Sequence, residues 1–262
     1  MKVYTGYSFA NVFKFGLYDL LYNPSFISKP RGLTVKEILG VSFEFNPQYF
    51  LFKNEIKSSE INYINGELEW YFKGRDDIQF ISKYSKFWKN VCNADGSCNS
   101  AYGKLLFKDL NNFGVTQYQW ALRKIIQDSD TRQALMFLNN QKFQYEGNKD
   151  FVCTSYIILF VREEHLYMRV YMRSNDAIYG TVNDVAFFCL LQQQILRHLK
   201  KFIPNIKLGT YTHTVDSFHL YENKFSLVED MLKNNFLSII YELDYDIIDS
   251  NGNFIEFKKL KT

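Results

Sequence analysis

Apolar residues recur every three or four positions over 8–22, SFANVFKFGLYDLLY, and the pattern stops just before Pro24, which predicts a first helix. VKEILGVSFEFN (35–46) is rich in β-branched and aromatic residues and predicts a strand. Helical spacing returns over 62–74, NYINGELEWYFKG, ending at Gly74, and over 115–126, VTQYQWALRKII, before the turn DSDTRQ. SYIILFVR (155–162) and HLYMRVYM (165–172) read as two strands joined in a hairpin across Glu163-Glu164. In the second strand Leu166, Met168, Val170 and Met172 share one face, and Tyr167, Arg169 and Tyr171 the other. The polar stretch RSNDAIYGTVND follows. Then comes an apolar helix over 185–202, with its basic residues near the C-terminal end, as the helix dipole prefers. Further strands are expected at 208–215, 236–244 and 253–258. Helices and strands interleave without a βαβ rhythm, so the expected class is α+β, a mixed sheet packed with helices. No repeat or Pro/Gly-rich linker interrupts the chain, and 1–262 reads as a single domain.

Composition narrows the function classes. The chain is 47% hydrophobic and 18% aromatic, which excludes a disordered protein. A net charge of +3 supplies no global field for direct nucleic-acid or membrane-surface binding, and Lys258, Lys259 and Lys261 read as a solvated end. No apolar run approaches the ~18 residues of a membrane span, and the N-terminal segment lacks a secretory h-region, so a cytoplasmic protein is expected. The four cysteines, Cys92, Cys98, Cys153 and Cys189, have no C-x-x-C spacing, so neither a metal site nor a disulfide framework is expected.

Taken singly, the candidate residues admit ordinary readings. Cys153 suits a nucleophile if an arginine such as Arg173 favours its thiolate, but a free cysteine is usually a small core residue. Arg173, Ser174 and Arg132 are donors suited to a phosphate, or plain surface groups. His219 and Tyr221 alternate along an extended stretch and share a side of it. Glu67 sits beside Leu68 and Trp70, an apolar setting fit for proton transfer, while a surface carboxylate is the default. Asp184 precedes the apolar helix and suits an N-cap.

The order of motifs changes those odds. GELEWYFKG, NSAYGK, DSDTRQALM, FVCTS, RSNDAIYG and DSFHLY occur in the succession characteristic of the thymidylate synthase superfamily, spanning roughly residues 32 to 225. In its E-L-E-W-Y run, N-S-x-Y-G, D-F-x-C-T and R-S-N-D the chain most resembles the phage deoxycytidylate hydroxymethylases within it.

The resemblance implies a thymidylate synthase-like fold, a large mixed sheet through which two copies dimerise, with shared active sites. It implies 5,10-methylenetetrahydrofolate as cofactor and a pyrimidine nucleoside monophosphate, dCMP favoured, as substrate. Cys153 would add to C6 of the base, splitting one slow substitution into easier steps. Arg173 with Ser174, Arg31 and, from the neighbouring subunit, Arg132 would hold the phosphate, and His219 and Tyr221 the sugar 3′-hydroxyl. Glu67 would manage protons through water and Tyr102 would line the pocket. Asn175 is placed among the substrate contacts, Asp176 at the base edge and folate, and Trp88 and Gly180 on the cofactor side.

Asp184 occupies the position where thymidylate synthases carry Asn. A carboxyl can accept from the cytosine amino group and, when protonated, donate to N3, so it points to dCMP. The tail FKKLKT is a poor water-excluding lid and favours a hydroxymethyl product. Gln133, where a second arginine is usual, and Pro30-Arg31-Gly32 depart from the pattern and bear on phosphate binding. The alternatives are a methyltransferase acting on dUMP or dCMP and a non-catalytic nucleotide-binding homologue.

Overall fold

The structure is a computed structural model and describes residues 1–261. Its helices are α1 (Phe9–Tyr22), α2 (Ile61–Phe72), α3 (Ile78–Ile81), α4 (Trp88–Val91), α5 (Tyr102–Phe107), α6 (Gln117–Gln127), α7 (Thr181–Lys200) and α8 (Phe225–Lys233). The strands are β1 (Lys2–Thr5), β2 (Phe26–Ser28), β3 (Val35–Phe45), β4 (Leu51–Lys53), β5 (Leu135–Phe137), β6 (Thr154–Arg162), β7 (His165–Met172), β8 (Asn175–Asp176), β9 (Lys207–Tyr221) and β10 (Leu237–Ile239). The chain divides into two compact units, each assembled from separated segments.

The first unit comprises Met1–Ser59, Met168–Gln192 and Gly209–Glu242. β3 pairs antiparallel with β9 and parallel with β1, and the short β8 lies parallel to β9, so the sheet is mixed. The register sets Asp176 beside His219. α1 packs its apolar side on this sheet: Phe9, Phe13, Leu17 and Leu20 are buried, and Phe9 meets Phe45 at 5.4 Å between ring centroids. Ser8 caps the helix by accepting from the Asn11 N–H. Gly16 is required by packing, since a Cβ there would lie 2.5 Å from Phe43.

The second unit comprises Glu60–Tyr167, Gln193–Leu208 and Leu243–Thr262. β5 pairs antiparallel with β6, and β6 turns into β7 through Glu163 and Glu164, both with positive φ (48° and 60°), the conformation a tight hairpin turn demands. The predicted inner face of β7, a strand that passes into the first unit at Met168, is buried at Leu166, Met168, Val170 and Met172. α6 starts with a capping box in which Thr116 and Gln119 satisfy each other's backbone N–H groups.

Two expected strands fail locally because side chains take the backbone's hydrogen bonds. Within 236–244 only Leu237–Ile239 pairs, with β4, and the Leu243 N–H instead donates to Gln193 Oε1 at 2.9 Å. Over 253–258 only the bridge Ile248–Phe254 forms. The Asp249 carboxylate accepts the N–H groups of Asn251 and Asn253 in the turn before it, and further along the Lys258 N–H donates to the Tyr245 hydroxyl at 2.8 Å. Gln192, Gln193 and Gln194, consecutive in α7, are all buried. Gln192 donates to the Gly209 and Thr210 carbonyls, and Gln194 accepts the Ile247 N–H at 2.7 Å. Among the described residues no helix is long and apolar enough to cross a membrane.

Candidate active site

In the first unit the polar groups gather where β8 passes into α7. The helix begins at Thr181, four residues before the sequence pattern suggested, and the Asp184 N–H already donates to the Gly180 carbonyl. Asp184 therefore lies in the first turn and is not the N-cap. Its Oδ2 accepts from Asn175 Nδ2 at 2.9 Å, and Asn175, 3% exposed, accepts from Thr181 Oγ1 at 2.8 Å. Asn175 Nδ2 also faces Met172 Sδ at 2.8 Å and His213 Nε2 at 3.3 Å. Gly180 makes room for this amide: a Cβ there would stand 2.8 Å from Asn175 Oδ1.

His213 was not among the residues singled out from the sequence; nothing marks it in YTHTV except its polarity among apolar neighbours. It is fully buried, and its Nδ1 lies 2.8 Å from the Tyr211 hydroxyl. With Nε2 accepting from Asn175, the ring proton sits on Nδ1 and Tyr211 Oη accepts it. Burial pushes the imidazole pKa down to about 3 from an ordinary 6.5. The folded state thus excludes a proton that the unfolded chain binds below about pH 6.5, and stability falls as pH drops from there towards 3. At pH 5 this amounts to about 2 kcal/mol. His213→Gln is expected to lose less stability between pH 7 and pH 5 than the parent, measured by urea unfolding at both pH values.

Asp176 in β8 accepts the N–H groups of Ile178 and Tyr179 on Oδ1, at 2.7 and 2.5 Å. Its Oδ2 is buried without a hydrogen-bond partner. Burial raises its carboxyl pKa; the Tyr179 N–H, the nearby His219 and the Ile178 N–H oppose that only in part. His219 and Tyr221 meet edge to face at 5.4 Å, as neighbours on one side of β9. Arg173 and Ser174 are half-buried, with the Arg173 carbonyl held by the Ser217 N–H at 3.2 Å. Arg31 is exposed on the turn Pro30–Gly32, in the left-handed region at φ 53°.

In the second unit Glu67 is buried on α2, and Tyr63, one turn earlier, donates to its Oε1 at 2.8 Å. Trp88 Nε1 donates to the Tyr63 hydroxyl at 3.0 Å, so the expected proton carrier and the expected cofactor-side aromatic are joined through Tyr63. Sequence reasoning missed Tyr63, although its i, i+4 spacing to Glu67 was visible. Tyr102 is buried and stacks on Tyr71 at 5.1 Å.

Cys153 lies half-buried in the segment leading into β6, with its Sγ 3.8 Å from the Phe151 carbonyl. Asp150, just before it, accepts from both the hydroxyl and the N–H of Ser100, at 2.5 and 2.9 Å. This ties the NSAYGK motif to the cysteine segment. Burial raises the Asp150 pKa, with the Ser100 bonds acting against it. The other cysteines are placed differently: burial pushes Cys98 up to about 12, and Cys189 is enclosed in α7. Arg132 is exposed between α6 and β5.

In the tail, Leu260 is buried, and Asn65 clasps both its N–H and its carbonyl, at 2.7 and 3.1 Å. Lys258, Lys259 and Lys261 around it are exposed. Among the described residues no group of three or more His, Cys, Asp or Glu is placed to hold a metal ion.

The thymidylate synthase family model matches residues 25–252, and the chain belongs to that family. It is a one-carbon transferase of that family, and its relatives include phage hydroxymethyltransferases. Deoxycytidylate 5-hydroxymethyltransferase of Enterobacteria phage T6 is 29% identical over 228 residues, covering 84% of this chain and 89% of the relative. Deoxyuridylate hydroxymethyltransferase of Bacillus phage SP01 is 31% identical over 218 residues, 78% of this chain and 55% of the relative. Among solved structures, thermostable thymidylate synthase A from Bacillus subtilis superposes with a TM-score of 0.71 at 18% identity, covering 88% of this chain and 86% of that one. The fold is therefore thymidylate synthase-like.

Proposed function

We propose that the protein is a deoxycytidylate 5-hydroxymethyltransferase. The observation that carries this reading is Asp184 in the first turn of α7, where its carboxyl is an acceptor for Asn175. The relatives named for deoxycytidylate support it. A carboxylate offers no donor to uracil O4, whereas the amino group of cytosine donates to it, and a mismatched buried pair is costly.

The chemistry follows from the residues. Cys153 Sγ bonds C6 of the base, which raises electron density at C5. When bound, 5,10-methylenetetrahydrofolate supplies the one-carbon unit. Asp176 suits such a group, because its buried Oδ2 has no protein partner and matches an N–H-bearing heterocycle; Trp88 and Gly180 are the other residues that the family resemblance assigns to it. After the carbon is added, C5 loses its proton as the carrier leaves as tetrahydrofolate, water provides the hydroxyl oxygen, and the thiolate is expelled from C6.

Glu67 handles the protons, with Tyr63 fixing its Oε1. Arg173, Ser174 and Arg31 hold the phosphate, His219 and Tyr221 the sugar. Tyr102 lines the pocket. In a homodimer formed through the sheet, Arg132 serves the neighbouring copy.

Tritium release from 5-tritiated CMP, dCMP and dUMP, with mass spectrometry of the product, tests the reading. Release from dCMP with a gain of CH2OH is expected. Release from dUMP alone favours the second reading, deoxyuridylate hydroxymethylation, which the Bacillus phage SP01 relative supports. Tyr63→Phe, which removes the donor that positions Glu67, is expected to lower kcat about tenfold, the worth of one hydrogen bond, with KM for dCMP within about twofold.

A further inference from the structure

If Asp184 faces cytosine, one proton is shared between its carboxyl and N3 of the base, and something must decide on which side that proton rests. We propose that Asn175 is the positioning residue that decides it: by donating to Asp184 Oδ2 it keeps this carboxyl an acceptor, so that the shared proton rests on the base. The inference deepens the cytidylate reading and rests on it.

The geometry admits one orientation of the amide. Three acceptor atoms surround the Nδ2 end: Asp184 Oδ2 at 2.9 Å, Met172 Sδ at 2.8 Å and His213 Nε2 at 3.3 Å. On the other end Oδ1 faces the Thr181 hydroxyl at 2.8 Å, a donor it shares with the Asp176 carbonyl at 2.9 Å. Turning the amide over would set its oxygen against a carboxylate and an imidazole lone pair, with no donor for it. The ring can serve as that acceptor because it is buried, neutral and anchored through Nδ1 to Tyr211. Asn175 itself is buried and shaped into place by the absence of a Cβ at Gly180. An N–H directed at one carboxylate oxygen stabilises the charged form over the protonated one. A cytosine carrying the proton on N3 is the more electrophilic at C6, where Cys153 adds, so the bond acts on the rate of addition more than on binding.

The test uses the full chain. Cys153→Ala holds the complex before the covalent step, and dCMP labelled with 15N at N3 reports the proton directly by its chemical shift. In the Cys153→Ala enzyme the N3 signal is expected in the range of a protonated ring nitrogen. With Asn175→Leu added, it is expected to move to that of a lone-pair nitrogen. In the enzyme with Cys153 intact, Asn175→Leu is expected to lower kcat for dCMP by at least about tenfold, the worth of one charge-assisted bond, with KM within about threefold.

Should Asn175→Leu not fold, Thr181→Val decides instead, since it removes the donor that fixes Oδ1 and is expected to shift the same signal partway. An N3 signal that is protonated with and without Asn175, or unmoved by Thr181→Val, overturns the role of Asn175. A lone-pair signal in the parent overturns the placement of the proton. Failure of dCMP to bind while dUMP binds overturns the cytidylate reading itself and is separable from both.

Discussion

Cys153→Ala is expected to abolish tritium release from 5-tritiated dCMP, by at least about a thousandfold, while the dissociation constant for dCMP changes by no more than a few fold. Without a covalent bond at C6 the C5 carbon is a poor nucleophile, and no other group in the proposed mechanism can supply that activation. The surroundings indicate that the substitution is tolerated structurally. Cys153 is half-buried, and its Sγ makes a long contact, 3.8 Å, to the Phe151 carbonyl. The segment is anchored instead by Asp150 on Ser100. The measurement pairs tritium release with equilibrium nucleotide binding. Full activity in Cys153→Ala would remove the covalent mechanism, and the absence of release from any pyrimidine nucleotide by the parent would favour a binding protein that no longer catalyses.

Asp184→Asn is expected to invert substrate preference, lowering kcat/KM for dCMP roughly a hundredfold or more and making dUMP the better substrate. An asparagine presents one donor and one acceptor, which complements uracil O4 and N3–H, whereas the carboxylate presents acceptors only. Its oxygen can take over the Asn175 N–H that Asp184 Oδ2 now accepts, so the new side chain has a defined orientation. Stability should change little, because the cost is the loss of one negative charge in the first helical turn, ~0.3–1 kcal/mol. Competition between labelled dCMP and dUMP measures the ratio. A ratio within twofold of the parent value would sink the assignment of Asp184 as the base reader.

The residues that sequence reasoning reached were those whose role is written in local order. The hairpin and the helices follow from periodicity and turn chemistry, and the cysteine segment from motif succession, all short-range properties. The failed strands show where that stops: the Leu243 N–H goes to the Gln193 side chain and the Lys258 N–H to the Tyr245 hydroxyl, a competition between side chain and backbone. The helix start at Thr181 was missed for a similar reason. RSNDAIYGTVND looks like a polar loop until Gly180 and Thr181 are seen closing the first turn under Asn175.

Alone, the sequence determined the family and named candidate residues for its chemistry, because a nucleophile, a base reader and phosphate donors must appear as particular side chains in a particular order. Tertiary structure decided how those side chains are held. Tyr63 on Glu67, Ser100 on Asp150, and the His213–Asn175–Asp184 chain all became visible only there. The physical reason is that a buried polar group must be satisfied by whatever partner folding brings within about 3 Å. That partner can lie anywhere in the chain, as His213 does for Asn175, and no local pattern announces it.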